Sequence, residues 1–222
     1  LFPISFVSGP LIPEIITLII FSTFFIGFDK SQLKRINTNI FEIKWFFYFS
    51  IMILILSFLS IDYFLSFKNT TFYLRFILLF LALSILILES DKILIKLNKY
   101  LSLFILFICI DLIFQSINGT NFFGMSSKYE LGNRLSGLFG SEYIMGSYLM
   151  KILPILNFLF LYNNKELNKK SLIIPAILNL IICIAIFISG ERTSLAHLII
   201  YIILVSLFDK KLFRINLISV GI

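Results

Sequence analysis

Residues 100–117 read YLSLFILFICIDLIFQSI, an apolar run of 18 residues in which Asp111 is the single charged side chain. About 20 mostly apolar residues cross the hydrocarbon core of a bilayer as an α-helix, and the helix satisfies every backbone amide within the segment. This stretch is therefore predicted to form a membrane-spanning helix.

Similar apolar runs recur along the chain and are separated by short polar breaks. We predict spans at about residues 10–28, 45–66, 72–88, 100–117, 143–162, 172–189 and 194–208, with an eighth beginning at 215. The predicted fold is an all-α, polytopic transmembrane helical bundle of about seven complete spans, forming one domain over residues 1–222. Because the chain starts at Leu1 and stops early in an apolar run, we expect a fragment of a longer protein.

The composition excludes a water-soluble globule. Of the 222 residues, 59% are hydrophobic and 14% are charged, whereas soluble domains carry about 25% charged residues. The net charge of +7 comes from loops, because 13 of the 19 basic residues lie in residues 29–44, 89–99, 163–171 and 209–214. Basic loops face the cytoplasm, so residues 1–9, 67–71, 118–142 and 190–193 are predicted on the outer side. No nucleic-acid partner is needed to explain the charge.

Arg134 lies in the longest polar break, the glycine-rich and aromatic-rich outer loop at 118–142. A guanidinium is permanently charged and donates parallel hydrogen bonds that match phosphate oxygens. The adjoining glycines also let backbone amides approach an anion. Arg134 is thus a candidate for binding a phosphate group, and the alternative is an interfacial arginine that contacts lipid headgroups.

Arg192 lies in a short outer turn, residues 189–194, which read SGERTS. We expect Thr193 or Ser194 to cap the following helix, whose N-terminal dipole would add positive potential beside Arg192. An anion site is one interpretation of this turn. The other is that Arg192 pairs with Glu191 or another acid.

Asp111 and Lys151 are ionisable residues at membrane depth, where such groups are costly and are functional candidates. They lie about 9 Å and about 12 Å from the outer ends of consecutive spans at the helical rise. We predict that they form an ion pair, with Gln115 one turn from Asp111 on the same face. A purely structural role is the alternative.

Other reactive side chains are sparse. His197, the single histidine, lies one turn into the last complete span and is a candidate general base or a packed helical residue. Cys109 and Cys183 lack the spacing of a metal or redox site. We predict no metal and no cofactor.

The order of several motifs resembles the bacterial O-antigen ligase and O-antigen polymerase superfamily. They are DLIFQ at 111–115, NG at 118–119, RLSGLFG at 134–140 before a span with Gly146 and Tyr148, and SGERTS at 189–194. The specific part of the resemblance covers about residues 100–208. In this superfamily a large periplasmic loop with a histidine usually follows further along, and the sequence ends before the position of such a loop. His197 does not match that histidine.

The resemblance implies a metal-independent glycosyltransferase of lipopolysaccharide biosynthesis, active at the periplasmic face of the bacterial inner membrane. The donor would be a glycan on undecaprenyl pyrophosphate, and the acceptor would be lipid A-core or another lipid-linked glycan. Arg134 and Arg192 would be the catalytic residues and would bind the pyrophosphate. The expected substrate-binding set is Arg134, Ser136, Gly137, Arg192, Thr193, Asp111 and Lys151. A flippase of lipid-linked glycans and a non-catalytic membrane protein are the alternatives.

Overall fold

The computed structural model describes residues 11–26, 41–73, 79, 91–126, 134–140, 142–163, 169–208, 213 and 215. Within them the chain forms seven α-helices. They are α1 (Leu11–Ile26), α2 (Phe41–Phe58), α3 (Tyr63–Tyr73), α4 (Asp91–Asn118), α5 (Met145–Asn163), α6 (Lys169–Ile188) and α7 (Arg192–Phe208). A single 3-10 turn covers Gly137–Phe139. Across these ranges no β-strand forms, and one isolated bridge joins Thr120 to Ser126. The predicted all-α class is confirmed.

The chain divides into two compact units, Pro10–Ile93 and Leu94–Ile222. In the first unit α2 and α3 pack against each other. The predicted span at 45–66 is wrong as a continuous helix, because α2 ends at Phe58 and α3 begins at Tyr63. The Asp62 carboxylate accepts a hydrogen bond from the backbone N–H of Leu65 at 3.1 Å. Such a cap satisfies a free amide of the first helical turn, so the chain starts a new helix there.

The predicted outer loop at 67–71 is likewise wrong, because these residues lie inside α3. The polar side chains there are compatible with a helix. Thr71, for example, donates its hydroxyl to the Phe67 carbonyl one turn earlier, at 2.8 Å. The predicted span at 72–88 lies outside the described residues except for 72, 73 and 79.

In the second unit, α4 is longer than predicted. The expected loop at 89–99 is helical from Asp91 onward. Lysine is a good helix former, and Lys92, Lys96 and Lys99 extend the helix as exposed residues. Leu94, Leu101, Ile105, Ile108 and Leu112 of α4 are buried. Their spacing of seven, four, three and four residues marks one face of a helix.

That face belongs to a single apolar core shared by α4, α5, α6 and α7. α5 packs against both α6 and α7, and it contributes Leu149, Leu153 and Leu156 to the core. Ile182 and Ile186 of α6 and Leu198 of α7 complete it. The predicted helices at 10–28, 143–162, 172–189 and 194–208 agree with α1, α5, α6 and α7 to within three residues.

Two helical stretches among the described residues are long and apolar enough to cross a membrane. They are Lys92–Asn118, with a mean hydropathy of 2.1, and Met145–Asn163, with 1.4. Shorter apolar helices of 10–17 residues among the described residues are Phe47–Phe58, Leu172–Ile188 and Arg192–Val205. Most of the predicted cytoplasmic loops at 29–44, 163–171 and 209–214 lies outside the described residues, and so does the eighth span apart from Ile215.

Candidate anion-binding site

The two chain segments that carry the candidate arginines connect four helix ends. α4 ends at Asn118 and α5 begins at Met145, so residues 119–144 connect them. α6 ends at Ile188 and α7 begins at Arg192 after a turn of three residues. The first turn of α5 lies beside that turn, because the backbone N–H of Ser147 donates a hydrogen bond to Glu191.

Asn121 organises the first part of the connection. Its side-chain oxygen accepts hydrogen bonds from the backbone N–H of Phe123 at 3.0 Å and of Met125 at 2.8 Å. Its amide nitrogen donates to the Gly137 carbonyl at 2.9 Å. Asn121 is 3% exposed, so one buried amide holds residues 121–125 against the segment that follows Arg134.

Asp111 and Gln115 fasten this folded connection to α4. The backbone N–H of Phe122 donates to Asp111 Oδ1 at 2.9 Å. Gln115 Oε1 accepts from the Gly137 N–H at 2.8 Å, and its Nε2 donates to the Met125 carbonyl at 3.3 Å. Both side chains are fully buried, and they lie on one face of α4, as predicted for residues one turn apart.

The predicted ion pair between Asp111 and Lys151 is wrong. Asp111 is buried, and its Oδ2 has no hydrogen-bond partner among the described residues. Lys151 is exposed on α5. The buried face of α5 carries Leu149, Ile152 and Leu153, and each residue advances about 100° around the helix. The rise along each helix predicted that Asp111 and Lys151 lie at a similar depth. The angular position of Lys151 around α5, however, points its side chain away from Asp111.

Ser136 and Gly137 lie below the surface of the site. Both are buried, and the Ser136 hydroxyl has no partner within the described part of the chain. Gly137 has φ +53°, and a Cβ there would collide with the Met145 side chain. Only glycine takes this backbone conformation without strain. These two buried residues thus determine the backbone path of the segment that carries Arg134.

A backbone hydrogen bond joins the two arginine segments. The N–H of Leu135 donates to the carbonyl of Ser189 at 3.2 Å. Leu135 directly follows Arg134, and Ser189 precedes Arg192 by three residues, so this bond holds the two arginine segments together. Both arginines are exposed. Neither guanidinium has an ion-pair or hydrogen-bond partner among the residues that the structure describes. Two positively charged side chains are therefore held at one end of the second unit.

Glu191 does not pair with Arg192, contrary to one interpretation of the turn. Its carboxylate accepts hydrogen bonds from the backbone N–H of Ser147 at 2.7 Å and from the Ser147 hydroxyl. The Thr193 hydroxyl is a weaker donor to it at 3.4 Å. Glu191 is therefore held at the first turn of α5, where its charge also suits the helix dipole.

The expected cap by Thr193 or Ser194 is wrong, because α7 already begins at Arg192. Both residues lie in the first turn. Ser194 is buried, and its hydroxyl lies 3.2 Å from that of Ser147. The first turns of α5 and α7 are thereby connected through Ser147.

Three further polar residues, which sequence reasoning missed, lie inside the bundle. Asn157 donates its amide to the Tyr201 hydroxyl at 2.9 Å, and Asn179 donates to Asn157 Oδ1 at 3.0 Å. They come from α5, α6 and α7. Each interrupts an apolar run near its middle, which is a signal of hydrogen bonding between helices.

The remaining reactive candidates lie within the helices. His197 is exposed on α7, and no described residue bonds to its ring. Cys109 and Cys183 are both free thiols. In the described ranges no three His, Cys, Asp or Glu side chains come together in a way that could hold a metal ion.

The arrangement is suited to binding an anion with several oxygens. Two exposed guanidinium groups have no partner among the described residues and can donate to an anion. One of them belongs to the first residue of α7, where the N–H groups of the first helical turn and the helix dipole add positive potential. Comparisons with protein-family models, with curated proteins and with solved structures found no match to this chain.

Proposed function

We propose that this protein transfers a glycan from undecaprenyl pyrophosphate to an acceptor sugar at the outer face of the bacterial inner membrane. The acceptor is lipid A-core or another lipid-linked glycan. The observation that carries the proposal is the hydrogen bond between Leu135 and Ser189. It joins two segments that are far apart in sequence, each with an exposed arginine beside it.

The chemistry of this transfer needs a stabilised leaving group. An acceptor hydroxyl attacks the anomeric carbon of the donor sugar, the bond from that carbon to the pyrophosphate oxygen breaks, and the hydroxyl proton passes to solvent water. Negative charge builds up on the departing undecaprenyl pyrophosphate. Arg134 and Arg192 are proposed to bind these phosphate oxygens, and preorganised donors of this kind favour the transition state.

Exposed apolar side chains support the proposal that further helices cross the membrane besides the two that are long enough by themselves. Ile174 and Phe187 of α6 are 76% and 73% exposed, and Leu207 of α7 is 73% exposed. Soluble monomers rarely expose contiguous apolar patches of more than a few hundred Å². In the proposed topology α6 and α7 also cross the bilayer, and the basic loops between spans face the cytoplasm.

Binding of undecaprenyl pyrophosphate to the protein in nanodiscs tests the donor site. Arg134→Ala and Arg192→Ala should each weaken binding by about 10- to 100-fold, because a hydrogen bond to a charged group contributes about 1.5–3 kcal/mol. Arg→Lys at either position should recover only part of the affinity, since lysine keeps the charge and loses the planar fork. Lys96→Gln removes an exposed charge of α4 elsewhere and is the matched control.

Transfer itself is measured by release of undecaprenyl pyrophosphate when donor and acceptor glycan are mixed with the full-length protein. The arginine variants should lose this release along with donor binding. Wild-type affinity in both alanine variants would contradict the proposal. If the protein bound the donor but released no undecaprenyl pyrophosphate when the acceptor was added, the proposed transferase activity would be refuted, and the protein would be a donor-binding membrane protein.

A transporter of lipid-linked glycans is the second candidate. The hydrogen bonds that connect Asn157, Asn179 and Tyr201 favour it, because polar residues inside a membrane bundle often mark a translocation pathway. In proteoliposomes, movement of a labelled lipid-linked glycan between leaflets that depends on an ion gradient would favour this candidate. Acceptor-dependent release without such movement would favour the transferase.

A further inference from the structure

A cavity of about 570 Å³ lies between α4, α5 and α6 in the second unit. It is lined by the first half of α4, the last half of α5 and the first half of α6. The arginine segments adjoin the opposite ends of these helices. Ligand sites in proteins commonly have volumes of about 300–1,000 Å³, so this cavity is large enough for a headgroup with part of an acyl chain.

The α4 wall of the cavity combines one charge with polar and apolar groups. Ile95, Asn98, Lys99, Ser102 and Leu103 line it, at the spacing of one face of a helix. Lys99 is the one charged residue among the described residues that line the cavity. A single cation beside two small polar side chains is suited to an anion with one negative charge and hydrogen-bonding groups.

The opposite walls are mainly apolar. Leu156 and Phe160 of α5 and Ile174 of α6 contribute to them, and Ile174 is 76% exposed. The cavity therefore opens at a surface that is itself apolar. Asn157, Asn163 and Asn179 are the polar residues of these walls. An acyl chain would bury its methylene groups against the apolar residues at about 0.8 kcal/mol each.

Asn163 adds an acceptor at the end of α5. It lines the cavity, and its Oδ1 is buried without a hydrogen-bond partner among the described residues. An unsatisfied buried acceptor is unfavourable. A ligand hydroxyl would supply the missing donor.

We infer that this cavity binds an anionic phospholipid with a hydroxylated headgroup, of the phosphatidylglycerol class. The phosphate contacts Lys99, the headgroup hydroxyls bond to polar side chains such as Asn163, and an acyl chain lies along Phe160 and Ile174. The lipid comes from the leaflet at the basic end of the helices, where α4 also carries Lys92 and Lys96. The inference rests on the membrane setting of the proposed function and is independent of the arginine pair.

The test is titration of detergent-solubilised protein with phosphatidylglycerol or phosphatidylcholine, followed by native mass spectrometry and thermal unfolding. Phosphatidylglycerol should bind more tightly than phosphatidylcholine and raise the unfolding temperature. Lys99→Gln should weaken phosphatidylglycerol binding by about fivefold, the contribution of one basic residue near an anionic surface. Lys96→Gln, an exposed lysine of α4 outside the cavity, should change it by less than about twofold.

Three results would overturn the inference. They are equal losses in Lys99→Gln and Lys96→Gln, equal affinity for the two lipids, and displacement of the lipid by inorganic phosphate at the same concentration. Arg134→Ala and Arg192→Ala should leave phosphatidylglycerol binding unchanged, and Lys99→Gln should leave undecaprenyl pyrophosphate binding unchanged. Failure of the lipid site and failure of the proposed function are therefore distinguishable.

Discussion

The backbone N–H of Ser147 donates a hydrogen bond of 2.7 Å to the carboxylate of Glu191, 44 residues further along the chain. Ser147 is the third residue of α5, and N–H groups in the first helical turn have no partner within the helix. Glu191 thus caps α5 from the turn between α6 and α7. Because this acid is held at α5, it does not pair with Arg192, which has no ion-pair partner among the described residues.

We expect Glu191→Ala to lower the free energy of unfolding by about 1–3 kcal/mol, since it leaves the buried end of α5 without its acceptor. Glu191→Gln keeps an acceptor and should lose less. Thermal unfolding in detergent measures both. The control is Thr193→Ala, which removes only an exposed contact and should stay within about 0.5 kcal/mol of wild type.

The same variants separate positioning from simple electrostatics. If Glu191 only repelled a bound anion, Glu191→Ala would strengthen undecaprenyl pyrophosphate binding. Because we argue that it positions the turn before Arg192, we expect weaker binding in Glu191→Ala and near-normal binding in Glu191→Gln. Tighter binding in both variants would contradict the positioning role.

Gly146→Ala should destabilise the protein, although alanine normally favours a helix over glycine by about 1 kcal/mol. A Cβ at Gly146 would lie 2.6 Å from Ser189 Oγ and 2.9 Å from Glu191 Oε2. Overpacking of this kind costs about 1–3 kcal/mol. The unfolding temperature should therefore fall, and a rise would show that α5 and the turn at 189–191 do not approach this closely.

Gly119 and Gly137 form a matched pair for a second substitution to alanine. Both have positive φ, +77° and +53°, but a Cβ at Gly119 has nothing within 4 Å. Gly119→Ala should therefore cost only backbone strain, about 1–2 kcal/mol. Gly137→Ala also collides with Met145 and should cost more by about 1–3 kcal/mol. Equal losses in thermal unfolding would contradict the packing of Gly137 under the site.

Hydropathy predicted most helices of the second unit well, because a long apolar run has to be helical where its backbone is shielded from water. It predicted helix ends less well. The chain starts a new helix at Tyr63, where Asp62 caps it, and α4 begins at Asp91, ahead of its lysines. Helix caps and polar helical turns depend on local hydrogen bonds, and an averaged hydropathy contains no information about them.

The resemblance led us to expect the two arginine segments to act together, and a backbone hydrogen bond does join them, but the contacts of the neighbouring side chains could not be predicted. Asp111 and Lys151 were matched by depth alone, and rotation around α5 turns Lys151 outward. The contact between Glu191 and Ser147 links residues in different helical hairpins. No local pattern marks such a contact, because it depends on how closely α5 approaches the following turn.

The hydrogen bond between Asn157 and Tyr201 should contribute little to stability. In membranes the unfolded reference state also finds hydrogen-bond partners, and measured couplings average about 0.6 kcal/mol, with a maximum of about 1.7. A double-mutant cycle of Asn157→Ala and Tyr201→Phe, followed by unfolding in detergent, should give a coupling in this range. Asn157→Ala alone should cost more than Tyr201→Phe, because Asn157 also accepts the amide of Asn179.

If these three hydrogen-bonded residues instead line a translocation pathway, Tyr201→Phe should slow glycan-lipid movement in proteoliposomes with little loss of stability. Unchanged movement together with a coupling near 0.6 kcal/mol would assign the three residues to helix packing.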